Sequence, residues 1–295
     1  MGGMATLTNI EANIKITMNV EYNQLEPLLK ETWNRDGDIP DKAGYSYFPG
    51  NINVLIFKLK SYLPALDTTK GIVPEFVNPK YKDAHRDVFK SATRLECMMQ
   101  DFPKLLPNSA KVGFSCYERW FSFSAVKNNI VDGAVKHRQG LAPETASSGE
   151  FDLFDANTRL LQLCGVLVEQ IDDGDIRDFQ GIKIKEGAKI FIHPSFGITL
   201  RELQSKISGS CRISKRSALV LRGERTELRD LVLDSTLVTS EDGELVEGEY
   251  LDKKYVEFKN IDPRVDDVEG MPEVIKIRGY KAVIDYPIAD LSLLS

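Results

Sequence analysis

The chain has 295 residues, 42% hydrophobic and 28% charged, with a formal net charge of −6. This composition is that of an ordinary globular protein, long enough for one large domain or two smaller ones. The acidic balance argues against generic nucleic-acid binding, which needs a basic face, and leaves room for a local basic pocket that takes phosphate.

Residues Ile14 to Val20 alternate with a period of two, Ile14, Ile16, Met18 and Val20 on one face, which predicts a strand. Leu7 to Val20 reads as a hairpin with Asn13 in or near its turn. The strand ends on Glu21, beside Tyr22 and Asn23. Ligands bind at the carboxyl ends of strands in α/β sheets. A fixed carboxylate there can accept two hydrogen bonds from adjacent hydroxyls, as sugar recognition requires. A solvated strand-end glutamate is the alternative reading. Gln24 to Lys30 reads as a short helical turn.

After a polar excursion, Ile52, Leu55, Ile56, Leu59 and Leu63 recur at helical spacing, with Asn51 placed as N-cap and Pro64 as stop. A helix start behind Phe48-Pro49-Gly50 is also a place where a polar ligand meets free backbone amides. Lys80 and Lys82 flank Tyr81 in what reads as a solvated loop. Ser91 to Phe102 is predicted as a helix ended by Pro103. Val112 to Val126 reads as two strands linked near Glu118, which puts Lys127 at the carboxyl end of an apolar strand. Phosphate is the natural partner of such a point charge, and a solvated lysine is the alternative.

Ser147-Ser148-Gly149-Glu150 resembles a capping box for a helix over Phe151 to Cys164, with Gly165 as its stop. Val166 to Gln170 is strand-like. From Phe179 onward, short β segments alternate with turns, among them 182–184, 189–192, 217–221, 231–233, 236–238, 248–250 and 273–278. One helical stretch, Thr199 to Ile207, interrupts them. This predicts a small all-β module of solenoid-like character.

Cys97, Cys116, Cys164 and Cys211 form no C-x-x-C pair and read as reduced thiols of a cytoplasmic protein. Only His85, His137 and His193 occur, too few for a multi-histidine metal site. No apolar run reaches the roughly 18 residues of a membrane span. No G-x-x-x-x-G-K-[ST], G-x-G-x-x-G or G-x-S-x-G motif occurs.

Six stretches together carry a resemblance. They are Asn19-Val20-Glu21-Tyr22-Asn23-Gln24-Leu25, Phe48-Pro49-Gly50-Asn51-Ile52-Asn53, the run from Glu75 to Asp83, the run from Lys90 to Asp101, Val126-Lys127-Asn128-Asn129 and Ser214-Lys215-Arg216-Ser217. The chain resembles the C-terminal half of the UDP-sugar pyrophosphorylases, the UTP-monosaccharide-1-phosphate uridylyltransferases. UDP-N-acetylhexosamine and UDP-glucose pyrophosphorylases, which share the strand-end glutamate, the Gly-Asn-Ile turn and the lysine, are the alternative relatives.

The resemblance implies an α/β fold. Residues 1–178 would be part of a Rossmann-like, GT-A-like mixed-sheet nucleotidyltransferase domain, and residues 179–295 a β-rich C-terminal domain. It implies UTP and monosaccharide 1-phosphates as substrates, with Mg²⁺ as cofactor. Glu21 would hold sugar hydroxyls, Asn51 would contact the sugar, Lys127 would bind phosphate, and Gly2 would let the backbone approach the sugar. The family's Gly-rich UTP loop and Mg²⁺-binding aspartate lie upstream of anything in this sequence. The expectation is therefore an enzyme part with an intact sugar half-site that lacks UTP and metal ligands. A non-catalytic fragment or interaction module is the alternative.

Overall fold

The computed structural model of the chain describes residues 2–11, 13–77, 81–83, 85, 87–93, 95–262 and 264–284. Contacts divide the chain into two units, Met1–Tyr117 and Glu118–Ser295.

The first unit opens with the expected hairpin. Strands β1 (Gly3–Asn9) and β2 (Ile14–Val20) pair antiparallel, Gly3 opposite Val20 and Asn9 opposite Ile14. Asn13 makes the turn at φ 51°, a left-handed conformation asparagine tolerates. Helix α1 (Tyr22–Thr32) follows at once, with Glu21 as its N-cap residue. The polar excursion after α1 is folded back by its aromatic turn. Trp33 meets Tyr47 and Phe48 edge-on, centroids 5.9 and 5.3 Å away. Asp41 Oδ1 accepts the Ala43 and Tyr45 amides at 2.8 and 2.9 Å. The return lays residues 49–51 along the free edge of β1. Met4 donates to the Pro49 carbonyl at 2.9 Å, Asn51 donates to the Gly2 carbonyl at 2.8 Å, and Gly3 bridges Gly50.

Two expectations in this unit give way. No helix starts at Ile52: Asn51 turns its side chain to the Asn53 amide at 2.8 Å, and Asn53 sits at φ 63°. That local bond competes with helical capping. Helix α2 (Leu59–Thr69) begins later, with Lys58 as N-cap residue and Pro64 inside it. Residues 91–102 are not one helix either. Strand β3 (Glu75–Val77) pairs antiparallel with β4 (Leu95–Cys97), and a 3₁₀ helix, Met99–Leu105, follows with Pro103 inside. Apolar spacing suits either geometry in so short a run. The expected loop lysine Lys80 and the expected helix residue Arg94 lie outside the described residues.

The second unit begins with α3 (Arg119–Ser122), α4 (Ile130–Arg138) and α5 (Ala146–Leu163). The two strands expected over Val112–Val126 do not form. A single turn, α3, takes their place, with Trp120 under the Arg159 guanidinium at 5.4 Å. Helix α5 starts earlier than expected because Thr145 is its cap: Thr145 and Ser148 form a reciprocal capping box.

Strands β5 (Leu167–Val168), β6 (Ile176–Phe179), β7 (Ile182–Lys185) and β8 (Lys189–Ile192) come next. Helix α6 (Leu200–Ser205) separates them from β9 (Ile207–Ser208), β10 (Arg212–Ile213), β11 (Ala218–Leu221), β12 (Glu227–Leu233), β13 (Thr236–Val238), β14 (Leu245–Tyr250) and β15 (Glu257–Asn260). Helix α7 (Glu273–Arg278) and β16 (Tyr280–Val283) close the described chain. Residues 273–278 were expected as a strand. The preceding Pro272, Glu273 in the first turn and Gly279 at φ 82° are helix boundary signals that outweigh the alternation.

Parallel pairing dominates. β8, β11 and β13 form one sheet, and β5, β10, β12 and β14 another, with β9 also pairing with β12. Every residue of β11 is fully buried, as befits a strand covered on both faces. Leu219 and Leu221 face one core, Ala218 and Val220 another. β12 keeps Leu228, Leu231 and Leu233 inside despite uneven spacing because Asp230 (φ 46°) forms a bulge. Each such leucine contributes roughly 1.5–3 kcal/mol by burial. Helix α5 joins two cores through one stripe, Phe151 and Phe154 to an aromatic cluster with Phe179 and Tyr280, and Leu161 to the leucine core. The chain is thus α/β, with a curled, largely parallel β region.

Candidate functional site

Three of the four expected site residues meet at one corner of the first unit. Glu21 stands where β2 ends and α1 begins. Asn51 arrives on the returning segment, anchored by its amide to the Gly2 carbonyl at 2.8 Å. Between them lies Asn19, only 4% exposed. Asn19 Nδ2 donates to Glu21 Oε1 at 2.9 Å, and Asn51 Nδ2 donates to Asn19 Oδ1 at 3.2 Å. Gly2 backs this link closely: a Cβ there would fall 2.4 Å from Asn19 Oδ1.

Asn19 and Glu21 also line a cleft of about 370 Å³ in the same unit. Leu7, Met18, Val20, Leu28, Phe76 and Met98 give it apolar walls; Gln24, Asp101 and Lys104 add polar groups. Asp101 is buried and held by Lys104 at 2.8 Å. A cleft of this size, mostly apolar with a few fixed polar groups, is of small-molecule dimensions. Among the described residues no group of three or more His, Cys, Asp or Glu could hold a metal ion. The described residues of this cleft do not by themselves supply a magnesium ligand set.

The chain is 39% identical over 284 residues to UDP-sugar pyrophosphorylase of Arabidopsis thaliana. It is 40% identical over 284 residues to the proteins of that name from Oryza sativa subsp. indica and subsp. japonica. This chain is similar to UDP-sugar pyrophosphorylases along nearly its whole length. Each match covers 95% of the chain and 45% of the relative, so the chain spans less than half the length of the curated relatives it matches. No family model matches it.

The fourth expected residue of this UDP-sugar pyrophosphorylase-like chain, Lys127, lies in the second unit. It is on an extended loop and not at the end of a strand. That loop is nonetheless fixed. The Lys127 and Asn128 amides both donate to the Glu144 carbonyl, at 2.8 and 3.0 Å, and Asn128 Nδ2 donates to the Pro143 carbonyl at 2.8 Å. Asn129 caps α4 through the Asp132 amide. The Lys127 side chain is exposed, and among the described residues no ion pair holds its ammonium. Sequence reasoning missed Asn19. Nothing in the alternation of β2 marks it, because it falls on the polar side with Lys15 and Thr17.

No helix among the described residues is long and apolar enough to cross a membrane.

Proposed function

We propose that this chain provides the sugar-phosphate side of a uridylyltransferase that makes UDP-sugars and pyrophosphate from UTP and monosaccharide 1-phosphates. Glu21 accepts hydrogen bonds from sugar hydroxyls, Asn51 contacts the sugar, Gly2 keeps the backbone open beside them, and Lys127 binds phosphate. An oxygen of the sugar 1-phosphate attacks the α-phosphorus of UTP in line. A new P–O bond forms as the bond to the β-phosphate oxygen breaks and pyrophosphate leaves. Magnesium, which the resembled family uses, would neutralise phosphate charge. The residues of this chain contribute position and hydrogen bonds.

The observation that carries this reading is the junction of Glu21 and Asn51 through buried Asn19. It is joined by the similarity to proteins named UDP-sugar pyrophosphorylase. The cleft lining holds no histidine, and its other carboxylate, Asp101, is engaged by Lys104. Among the described residues that line the cleft no group is placed to exchange a proton with Glu21, which suits it to accept hydrogen bonds from hydroxyls. Residues 1–178 would serve as the catalytic, GT-A-like part in the cytoplasm. Residues 179–295 would wind as a solenoid, a reading supported by the parallel registers of β8, β11 and β13.

Calorimetric titration with glucose, galactose and xylose 1-phosphates tests the proposal. At least one should bind the chain without UTP. A chain that binds none of them is the non-catalytic module of the alternative reading.

A further inference from the structure

The polarity of the junction is dictated by chemistry. An ionised carboxylate only accepts, so the amide atom of Asn19 that reaches Glu21 Oε1 must be Nδ2. That leaves Asn19 Oδ1 for Asn51, which must then present its own Nδ2. The Asn51 oxygen is in turn taken by the Asn53 amide at 2.8 Å. Each orientation follows from the one before. Flipping Asn19 would set its oxygen against the Glu21 carboxylate and its NH₂ against a donor, so the flipped state is disfavoured twice. Burial adds to this, because an unpaired amide here would have no water to replace the lost bonds. Gly2, with no Cβ, leaves the space that the Asn19 carbonyl oxygen occupies, since a Cβ there would lie 2.4 Å from Asn19 Oδ1.

We infer that Asn19 is the positioning residue of the sugar site. It engages Glu21 through Oε1, leaves Oε2 to take adjacent hydroxyls, and turns Asn51 so that one Nδ2 hydrogen remains for the ligand. The inference rests on the proposed sugar-binding role of Glu21 and extends it: Asn19 touches no reacting atom and acts through its two neighbours. It also implies selectivity for a ligand whose adjacent groups meet an acceptor at Glu21 and a donor at Asn51, the pattern of a vicinal diol.

The test measures glucose 1-phosphate affinity of the chain and its variants between about pH 8 and about pH 5.5. Affinities are expressed as the ratio of variant to unmodified chain, so that titration of the ligand cancels. The charged groups lining the cleft are Glu21, Asp101 and Lys104. The last two are paired with each other, which leaves Glu21 to respond to a charge at position 19. N19D places two carboxylates within hydrogen-bond distance. It should bind about tenfold more weakly at the upper pH, from loss of a charge-assisted donor. It should recover toward the lower pH, where a shared proton restores the bond. N19L, of similar shape and without polar atoms, should bind about tenfold more weakly at both.

E21Q keeps an oxygen for the Asn19 amide, and in that background N19L should cost clearly less than its roughly tenfold in the unmodified chain, because the part of its effect that runs through the Glu21 carboxylate is already lost. If N19D does not fold, judged by thermal unfolding, the N19L and E21Q cycle decides alone. Binding by N19D equal to the unmodified chain, an N19D deficit that does not change with pH, or full additivity in the cycle would each overturn the inference. Failure of the unmodified chain to bind any sugar phosphate would overturn the sugar-site reading and this inference together.

Discussion

A Cβ on Gly2 would lie 2.4 Å from Asn19 Oδ1 and 2.5 Å from the Val20 carbonyl oxygen. The second contact is backbone and cannot yield. Gly2→Ala is therefore an overpacking change that lands on the link between Glu21 and Asn51. It should cost about 1–3 kcal/mol in the first unit. Denaturant midpoints check this, and sugar 1-phosphate affinity should fall in the same variant.

Gly133 lies within α4, where alanine would ordinarily gain up to about 1 kcal/mol of helix propensity. Here a Cβ would meet Thr145 Cγ2 at 2.2 Å and the Pro143 carbonyl oxygen at 3.1 Å. Thr145 is fully buried and committed to capping α5, so it has no free rotamer to retreat to. Packing outweighs propensity, and Gly133→Ala should lower the melting temperature.

Tyr280 is fully buried and its hydroxyl donates to Glu150, whose other oxygen takes Arg278 Nη1 at 3.1 Å. Burial, reinforced by the Glu150 charge, pushes the phenol far above its ordinary range, so it stays a donor at every practical pH. Tyr280→Phe keeps the ring among Phe151, Phe179 and Phe258 and removes one bond to a carboxylate. The expected loss is about 2 kcal/mol in equilibrium unfolding, with an unchanged denaturant slope.

The Asp234 carboxyl is held below its usual range, first by the Ser214 hydroxyl at 2.6 Å and further by Tyr255 at 2.8 Å. A carboxyl depressed in the folded state adds stability that is present above its unfolded value, near pH 3.9, and is lost as pH falls through the folded one. Ser214→Ala should be less stable than the unmodified chain at neutral pH, and the gap should narrow as melting is followed downward through about pH 4. A gap that widens on acidification would contradict the assignment.

The hairpin was legible because a strict period of two and a single turn residue, Asn13, leave little choice. The short β segments at 182–184, 189–192, 217–221, 231–233, 236–238 and 248–250 were legible as short apolar runs between turns, whereas β9, β10, β15 and β16 were not anticipated. Four stretches were not legible, 112–126 among them. Residues 52–63, 91–102 and 273–278 carry apolar spacing that suits either geometry; the first and last were decided locally, by the Asn51 oxygen on the Asn53 amide and by Gly279 at the end of α7, and the second by the backbone pairing of Leu95–Cys97 with the distant Glu75–Val77. Glu21 and Asn51 could be singled out by their places at a strand end and beside a Pro-Gly turn. Asn19 could not. It stands on the polar side of the β2 alternation, with Lys15 and Thr17, and is buried where Glu21 and the returning Asn51 both bond it. The strand expected to end at Lys127 did not form, and the lysine stands instead on the loop that leads into α4, a helix the sequence reading did not anticipate.

The central claim is that the Glu21 carboxylate binds sugar hydroxyls as an acceptor. Calorimetric titration of glucose 1-phosphate into the unmodified chain and into Glu21→Gln tests it most directly. Replacing a charged acceptor by a neutral one should weaken binding about tenfold while thermal unfolding stays within about 1 kcal/mol of the unmodified chain. Equal affinity in the two proteins would contradict the account.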